Sequence, residues 1–250
     1  MDEKQIERWR YPRFFTRNIF GNTAAVSGAD AKHIAAVLRM RAGNMAVLCD
    51  GKKNDYLSKF VKIDGDNCIF EILEKSKNEA EPSVHLRLFQ ALPKGDKMDF
   101  IVQKAVECGA SEIIPLYTQR CVSKPDAKAI EKKTLRWQRI AFEAAKQCGR
   151  GIVPTVGSPV DLNGAAEMCP AANTRIFFYE CAKTPLKKAV TAFSENIDIM
   201  IGSEGGFDKS EAALMESLGF VEASMGKRIL RCETAPIAAI SIIMNLTGNM

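Results

Sequence analysis

The chain is poor in histidine, with only His33 and His85 among 250 residues, and it has just two tryptophans. Its eight cysteines, at 49, 68, 108, 121, 148, 169, 181 and 232, form no CxxC pair. Zinc-site spacing is therefore absent and no metal is expected; scattered cysteines with apolar flanks fit small core fillers in a reducing compartment. No apolar run approaches the roughly 20 residues needed to span a bilayer. The N-terminal MDEKQIERWRYPRFF is charged and lacks an apolar signal-like segment, so a cytoplasmic protein with no membrane partner is expected. Neither GxGxxG nor a Walker A sequence occurs, which argues against a site built to cradle phosphates. A strong net charge is missing too, since 35 Lys+Arg against 30 Asp+Glu leave only +5.

The distribution of charge says more than its sum. Arg8 to Arg41 holds seven basic residues against one acid, and Gln119 to Arg150 holds nine against three. Either cluster alone reads as a solvated face; two of them raise the case for an anionic partner such as nucleic acid. With 46% hydrophobic residues the chain has material for one large or two smaller cores.

Residues 1–11 read as a loose polar extension. Short strands follow at Phe14-Phe15, Met45 to Cys49, Tyr56 to Val61 and Cys68 to Ile72, punctuated by Asp50-Gly51 and Asp64-Gly65 as hairpins require. One helix, roughly Asp30 to Leu38, interrupts them. The stretch EKSKNEAEPS, Glu74 to Ser83, has no apolar residue larger than alanine, and a domain boundary is expected there. Beyond it the grammar alternates. Strands are expected at Val84 to Gln90, Glu112 to Leu116 and Thr174 to Tyr179. Helices are expected at Met98 to Val106, Ala129 to Cys148 and Pro185 to Phe193, so this part is α/β with a mainly parallel sheet.

The most informative stretch runs from Ile197 to Pro236. A β-like run, Ile197 to Ile201, breaks at Gly202, and the loop Ser203-Glu204-Gly205-Gly206-Phe207 precedes a helix opened by Asp208. Asp208 and Glu211 have capping-box spacing, and the helix stops at Gly219. A second turn at Gly226 leads through Ile229-Leu230-Arg231-Cys232-Glu233-Thr234-Ala235-Pro236 into a final helix, Ile237 to Leu246, that is apolar nearly all round. Such a helix is buried, either in its own core or against a partner. Each loop thus follows a strand and precedes a helix, the position where open α/β sheets bind ligands. A Gly-Gly pair alone makes an ordinary turn. The charged residues Glu204, Arg231 and Glu233 among core-like neighbours indicate a site.

Gly202-Ser203-Glu204-Gly205-Gly206-Phe207 and Leu230-Arg231-Cys232-Glu233-Thr234-Ala235-Pro236 resemble the paired signature loops of the SPOUT-class methyltransferases, and within that class the RsmE family. Ser203 stands where that family has proline, and Cys232 where it has threonine. Leu92 to Lys97, Ile101 to Ala105, Glu143 to Arg150, Phe178 to Glu180, and His33 with Val37-Leu38-Arg39 resemble it as well, so the likeness covers nearly the whole chain.

The resemblance implies a PUA-like RNA-binding β-barrel over 12–75 and an α/β SPOUT domain over 76–250, tied in a deep trefoil knot. It implies S-adenosylmethionine as cofactor, held by Phe178, Tyr179 and Glu180, by Ile201, Gly202, Ser203, Glu204, Gly205 and Gly206, and by Met225, Gly226, Ile229, Leu230, Cys232, Thr234 and Ala235. The implied reaction is methylation of uridine N3 in 16S rRNA, within the 30S subunit, by a homodimer. Arg231 is expected to stabilise charge on the uracil carbonyls, and Glu233 to receive the N3 proton or to hold Arg231. Arg13, Arg39 and Arg41, with Lys94, Lys97 and Arg150, are the expected phosphate contacts. A transfer RNA or another ribosomal nucleotide as target, or a non-catalytic RNA-binding relative, are the alternatives. A Rossmann enzyme would need a glycine-rich turn where Gln90-Ala91-Leu92-Pro93 stands.

Overall fold

The computed structural model describes residues 10–122 and 125–250, so the polar extension lies outside it except for Arg10 and Tyr11. The chain forms two compact units. One comprises the residues up to Glu81 together with Ala145–Val153; the other comprises Pro82–Ala144 and Pro154–Met250.

The first unit is a six-stranded sheet in the order β1-β4-β5-β6-β3-β2. Its strands are β1 (Arg13–Phe15), β2 (Asn18–Phe20), β3 (Thr23–Val26), β4 (Met45–Cys49), β5 (Asn54–Asp64) and β6 (Asn67–Lys77). All neighbours are antiparallel except the pair β1 and β4. The sheet curls on itself: Thr16, just after β1, donates its hydroxyl to the Ala25 carbonyl in β3 at 2.6 Å. Alternation puts Phe14, Leu48, Phe60 and Phe70 inside one core, with the Phe60 and Phe70 rings edge to face at 5.4 Å. Each such buried side chain contributes about 1.5–3 kcal/mol.

The β2–β3 hairpin was not legible in composition, because Asn18–Phe20 has only two apolar residues, Ile19 and Phe20, on opposite faces. The helix expected over Asp30 to Leu38 divides into α1 (Gly28–Lys32) and a π-helical turn, His33–Val37, closed by Leu38 N–H to the His33 carbonyl. β6 continues to Lys77, so the boundary expected at 75/76 falls inside a strand. Its charged residues sit on a half-exposed edge, Glu74 opposite Leu57 and Lys75 opposite Tyr56, with the Lys75 ammonium 5.5 Å from the Tyr56 ring centre.

The second unit is a six-stranded, wholly parallel sheet in the order β12-β10-β11-β7-β8-β9. Its strands are β7 (His85–Ala91), β8 (Glu112–Leu116), β9 (Thr155–Val156), β10 (Thr174–Phe178), β11 (Asn196–Ile201) and β12 (Val221–Ala223). Near-continuous apolar runs such as Ile197–Ile201 are what a sheet covered on both faces requires. The covering helices are α2 (Lys97–Glu107), α3 (Ala127–Gln147, whose last residues belong to the first unit), α4 (Leu162–Glu167), α5 (Leu186–Ala189), α6 (Lys209–Ser217) and α7 (Thr234–Leu246).

The helix expected over Pro185 to Phe193 is only α5. Val190 adopts extended φ/ψ and is buried, leaving the β-branched Val190-Thr191 pair outside the helix. In α7, Ala235, Pro236, Ala239, Ile240, Ile243 and Met244 are buried within this unit, and Ile242 is 37% exposed. No helix among the described residues is long and apolar enough to cross a membrane.

Because all six strands run the same way, the loops leaving β7, β10, β11 and β12 gather at one edge of the sheet. The strand order also reverses there. The chain leaves β7 toward β8 on one side, while β11 and β10 lie on the other, and such a switch opens a crevice at the carboxyl edge.

Candidate active site

The loop after β11 is built around a tight turn, in which Gly206 N–H donates to the Ser203 carbonyl at 3.0 Å. Gly206 has φ +66°, a conformation that favours glycine, and the Glu180 carboxylate lies against it. At Gly202 a Cβ would come within 2.9 Å of the Gly206 backbone, so the turn closes only on glycine. Phe207 anchors the loop from below, buried with its ring edge-on to Phe177. Asp208 then caps α6 with the expected capping box, accepting from Ser210 N–H while Glu211 accepts from Asp208 N–H at 2.8 Å.

Residues that sequence reasoning missed hold this loop in place. Arg120 donates to the Gly205 carbonyl at 2.8 Å and pairs with Asp208 at 3.1 Å, and its own carbonyl accepts from the Ser203 hydroxyl. Gln119 N–H donates to Glu211 at 2.7 Å. Gln90, fully buried at the end of β7, donates to the Gly202 carbonyl at 3.3 Å, and its Oε1 has no partner among the described residues. A polar residue directly after the apolar Leu88-Phe89, near the end of the strand, was the available signal for Gln90. Nothing in the local sequence marked Arg120.

The second signature loop comes to the first through Lys97. Its ammonium donates to Glu204 at 2.8 Å, lies 3.6 Å from the Glu233 carboxylate, and is 3.9 Å from Cys232 Sγ. Glu204 also accepts Lys94 N–H at 3.1 Å, and the Cys232 thiol donates to Glu233 at 3.2 Å. These contacts set the protonation states. The hydrogen bond to Glu204 holds the Lys97 ammonium above its ordinary value. Partial burial pushes Glu204 up, but the donors Lys97 and Lys94 outweigh it and hold the carboxyl below the usual range. Glu233 is also held low, by the Cys232 thiol first and Lys97 after it. Burial, then the adjacent Glu233, pushes the Cys232 thiol up to about 12, so it stays protonated and serves as a donor.

Arg231 and Glu233, the expected catalytic pair, share a loop but are not paired. The Arg231 carbonyl accepts from Thr234 and Ala235 N–H at the start of α7, and its exposed side chain has no partner among the described residues. Of the expected cofactor residues, Ile201, Gly202, Ser203, Cys232 and Ala235 are buried; Phe178, Tyr179, Gly206, Met225 and Leu230 are half-buried. Glu180, Glu204, Gly205, Gly226, Ile229 and Thr234 are exposed. All come from loops, from strand ends or, for Thr234 and Ala235, from the start of α7 on the carboxyl edge. A separate open cleft of about 630 Å³ lies between Tyr117–Gln119, Asp161–Asn163 and the start of α6, and none of the expected cofactor residues lines it.

The expected phosphate contacts divide. Arg39 and Arg41 are exposed, and Arg39 is held at φ +48° directly after the π-helical turn. Lys94 is exposed as well. The charge of three others is matched by carboxylates of the protein. Arg13 makes two 2.7 Å hydrogen bonds to Asp55, Arg150 is 3% exposed and pairs with Glu81 at 2.7 Å, and Lys97 joins Glu204 to Glu233. Among the described residues, no group of three or more His, Cys, Asp or Glu side chains is placed to hold a metal ion.

Comparison with known proteins identifies two domain families in the chain. Residues 80–244 match the RNA methyltransferase domain family, and residues 26–73 match the RNA methyltransferase PUA domain family. The ribosomal RNA small subunit methyltransferase E of Mesomycoplasma hyopneumoniae is 33% identical over 225 residues, 90% of this chain and 95% of that protein. The protein of the same name from Bacillus subtilis is 32% identical, covering 88% of this chain and 89% of its own length. The crystal structure of a ribosomal RNA small subunit methyltransferase E from Neisseria gonorrhoeae bound to S-adenosyl methionine superimposes with a TM-score of 0.86 at 31% identity, over 94% of this chain and 98% of that one. With its two signature loops joined at the carboxyl edge of a parallel sheet, the chain belongs to the ribosomal RNA small subunit methyltransferase E family.

Proposed function

We propose that this protein uses S-adenosylmethionine to methylate N3 of a uridine in 16S rRNA, with the 30S subunit as substrate and the cytoplasm as its place of action. The observation that carries the reading is the pair of signature loops, complete in every glycine and charge and brought to one crevice. The residues fit the cofactor. Glycines at 202, 205, 206 and 226 keep these loops free of side-chain bulk, Ile201, Met225 and Leu230 offer apolar walls, and buried Gln90 Oε1 remains an unused acceptor. Bound there, the cofactor supplies an electrophilic methyl group on a sulfonium.

The rest is the work of this chain. The N3 nitrogen must be aligned and its proton lost to water, which places negative charge on the flanking carbonyl oxygens. Arg231, exposed and uncompensated, is the residue to meet that charge. Glu233, held low by a thiol and an ammonium, is a poor proton acceptor, and its role is to orient. Since N3 lies on the pairing edge, the target must be unpaired or drawn from its stack. Arg39, Arg41 and Lys94 remain as phosphate contacts. The family relationship further supports a closed PUA-like barrel, a deep trefoil knot in the second unit and a homodimer. Phe100 on α2 and Ile242 on α7, each partly exposed, are the apolar residues we assign to its interface.

The test is methyl transfer from labelled S-adenosylmethionine to purified 30S subunits and to bulk transfer RNA, both from cells lacking the gene, with mass mapping of the product. Label as 3-methyluridine in small-subunit RNA is expected, lost in Arg231→Ala while cofactor binding and the thermal midpoint persist. Label in transfer RNA would move the target within the class, and full turnover by Arg231→Ala would remove that residue from the mechanism.

A further inference from the structure

We infer that Lys97 is a positioning residue: by holding Glu233, it leaves the Arg231 guanidinium uncompensated and available to substrate. The inference rests on the role given to Arg231 above. Arg231 and Glu233 are two residues apart in one loop, a spacing that would let them neutralise each other. They do not. Glu233 takes the Cys232 thiol at 3.2 Å and the Lys97 ammonium at 3.6 Å, whereas Arg231 has no partner among the described residues.

Lys97 is itself fixed from the other side. Glu204, which accepts both its ammonium at 2.8 Å and Lys94 N–H at 3.1 Å, ties it to the first signature loop. Among the described residues, Lys97 is the one side chain that contacts both Glu204 and Glu233. Pairs this exposed, with 35% of the Lys97 side chain and 21% of Glu233 accessible, stabilise a fold little. Their effect is on where charge resides. Without Lys97, two carboxylates would face each other and Glu233 would turn to a free cation of its own loop, Arg231. The site would keep its shape but lose the positive charge meant for the uracil oxygens.

The test is a double-substitution cycle. Lys97→Met is expected to lower turnover on the order of tenfold with little change in the KM for RNA, Lys97→Arg to stay near wild type, and Lys97→Met/Glu233→Gln to recover most of the loss. A readout independent of activity is the hydrogen exchange of Arg231 Nε–H, followed by NMR without cofactor. It should be fast in the wild type and protected in Lys97→Met, where Glu233 now covers it. The salt slope of RNA binding should stay the same in Lys97→Met, because the ammonium is already matched by Glu204 and Glu233.

Wild-type turnover in Lys97→Met, a double variant no faster than the single one, or unprotected Arg231 exchange in Lys97→Met would each overturn the inference. Should Lys97→Met fail to fold, the same cycle and exchange measurement with Lys97→Gln decide it. If Arg231→Ala proves fully active while the exchange result holds, the role of Arg231 fails but the contact assigned to Lys97 stands.

Discussion

Gly202 shows how much of this site depends on a missing atom. It ends β11 inside the sheet, its carbonyl is taken by Gln90, and its Cα faces the backbone of Gly206 across the turn. A methyl group there would stand 2.9 Å from that backbone, which has no flexible side chain to move aside. Gly202→Ala must therefore open the turn, shifting Gly205 and Gly206 and the acceptor Glu204 with them. We expect a stability loss of about 1–3 kcal/mol, typical of overpacking, together with at least a roughly tenfold weaker affinity for S-adenosylmethionine. Calorimetric titration and thermal unfolding of the variant check this. Wild-type affinity in Gly202→Ala would mean that the cofactor does not depend on this turn. The glycines were legible in sequence because loops of this kind follow a strand and precede a helix. The reason each must be glycine was not, since it lies in a contact across the turn.

Among the elements, charge pairing separates what binds outward from what holds the protein together. The π-helical turn is followed, after Leu38, by Arg39 in a left-handed conformation and then by the exposed Arg41, and neither cation has a protein partner among the described residues. In the same unit Glu81 accepts from the Arg150 guanidinium and from Gly151 and Ile152 N–H at 2.9 and 3.0 Å. Sequence placed Arg39, Arg41 and Arg150 in one class, because a basic residue carries no local mark of a partner 69 positions away. Substitution should separate them. Arg39→Gln/Arg41→Gln is expected to weaken RNA binding and flatten its dependence on log salt by about 1.4 to 1.8, the loss of two phosphate contacts. Arg150→Met should leave that slope alone and lower unfolding stability by about 3–5 kcal/mol, through a buried Glu81 left without its cation. Filter binding across a salt series and urea unfolding distinguish the two. A slope unchanged in the double variant would deny this turn a role in RNA contact.

Over the whole molecule, apolar periodicity made most of the architecture readable: the long hairpin, the alternation of strand and helix, the capping box at Asp208. Pairings between distant loops were not readable, since they depend on the strand order that brings β7, β11 and β12 to one edge. The same long-range contacts govern how stability responds to pH. At the acid end, Asp50, Glu204, Asp208 and Glu233 are held below their ordinary values of 3.8 for Asp and 4.5 for Glu. Their contribution is present above those values and is lost as pH falls through the lower folded ones.

At the alkaline end the sign reverses. Burial, chiefly, raises the thiols of Cys49, Cys169 and Cys232 from 9.0 to about 12. A thiol whose folded value is raised stabilises the folded state fully below its unfolded value, and that stability is lost as pH rises from 9 toward 12, because only the unfolded chain ionises. Cys49 lies in the first unit and the other two in the second, so both units should weaken together. The urea midpoint is expected to stay level from about pH 6 to about pH 8.5 and to fall by pH 10, with a shallower fall in Cys169→Ala/Cys232→Ala after allowance for its lower starting stability. Equal midpoints at pH 8 and pH 10.5, or a double variant as steep as the wild type, would show that these thiols do not set the alkaline limit. The measurement also bears on catalysis. A Cys232 that stays protonated through that range keeps its donor on Glu233, and with it the arrangement that leaves Arg231 free.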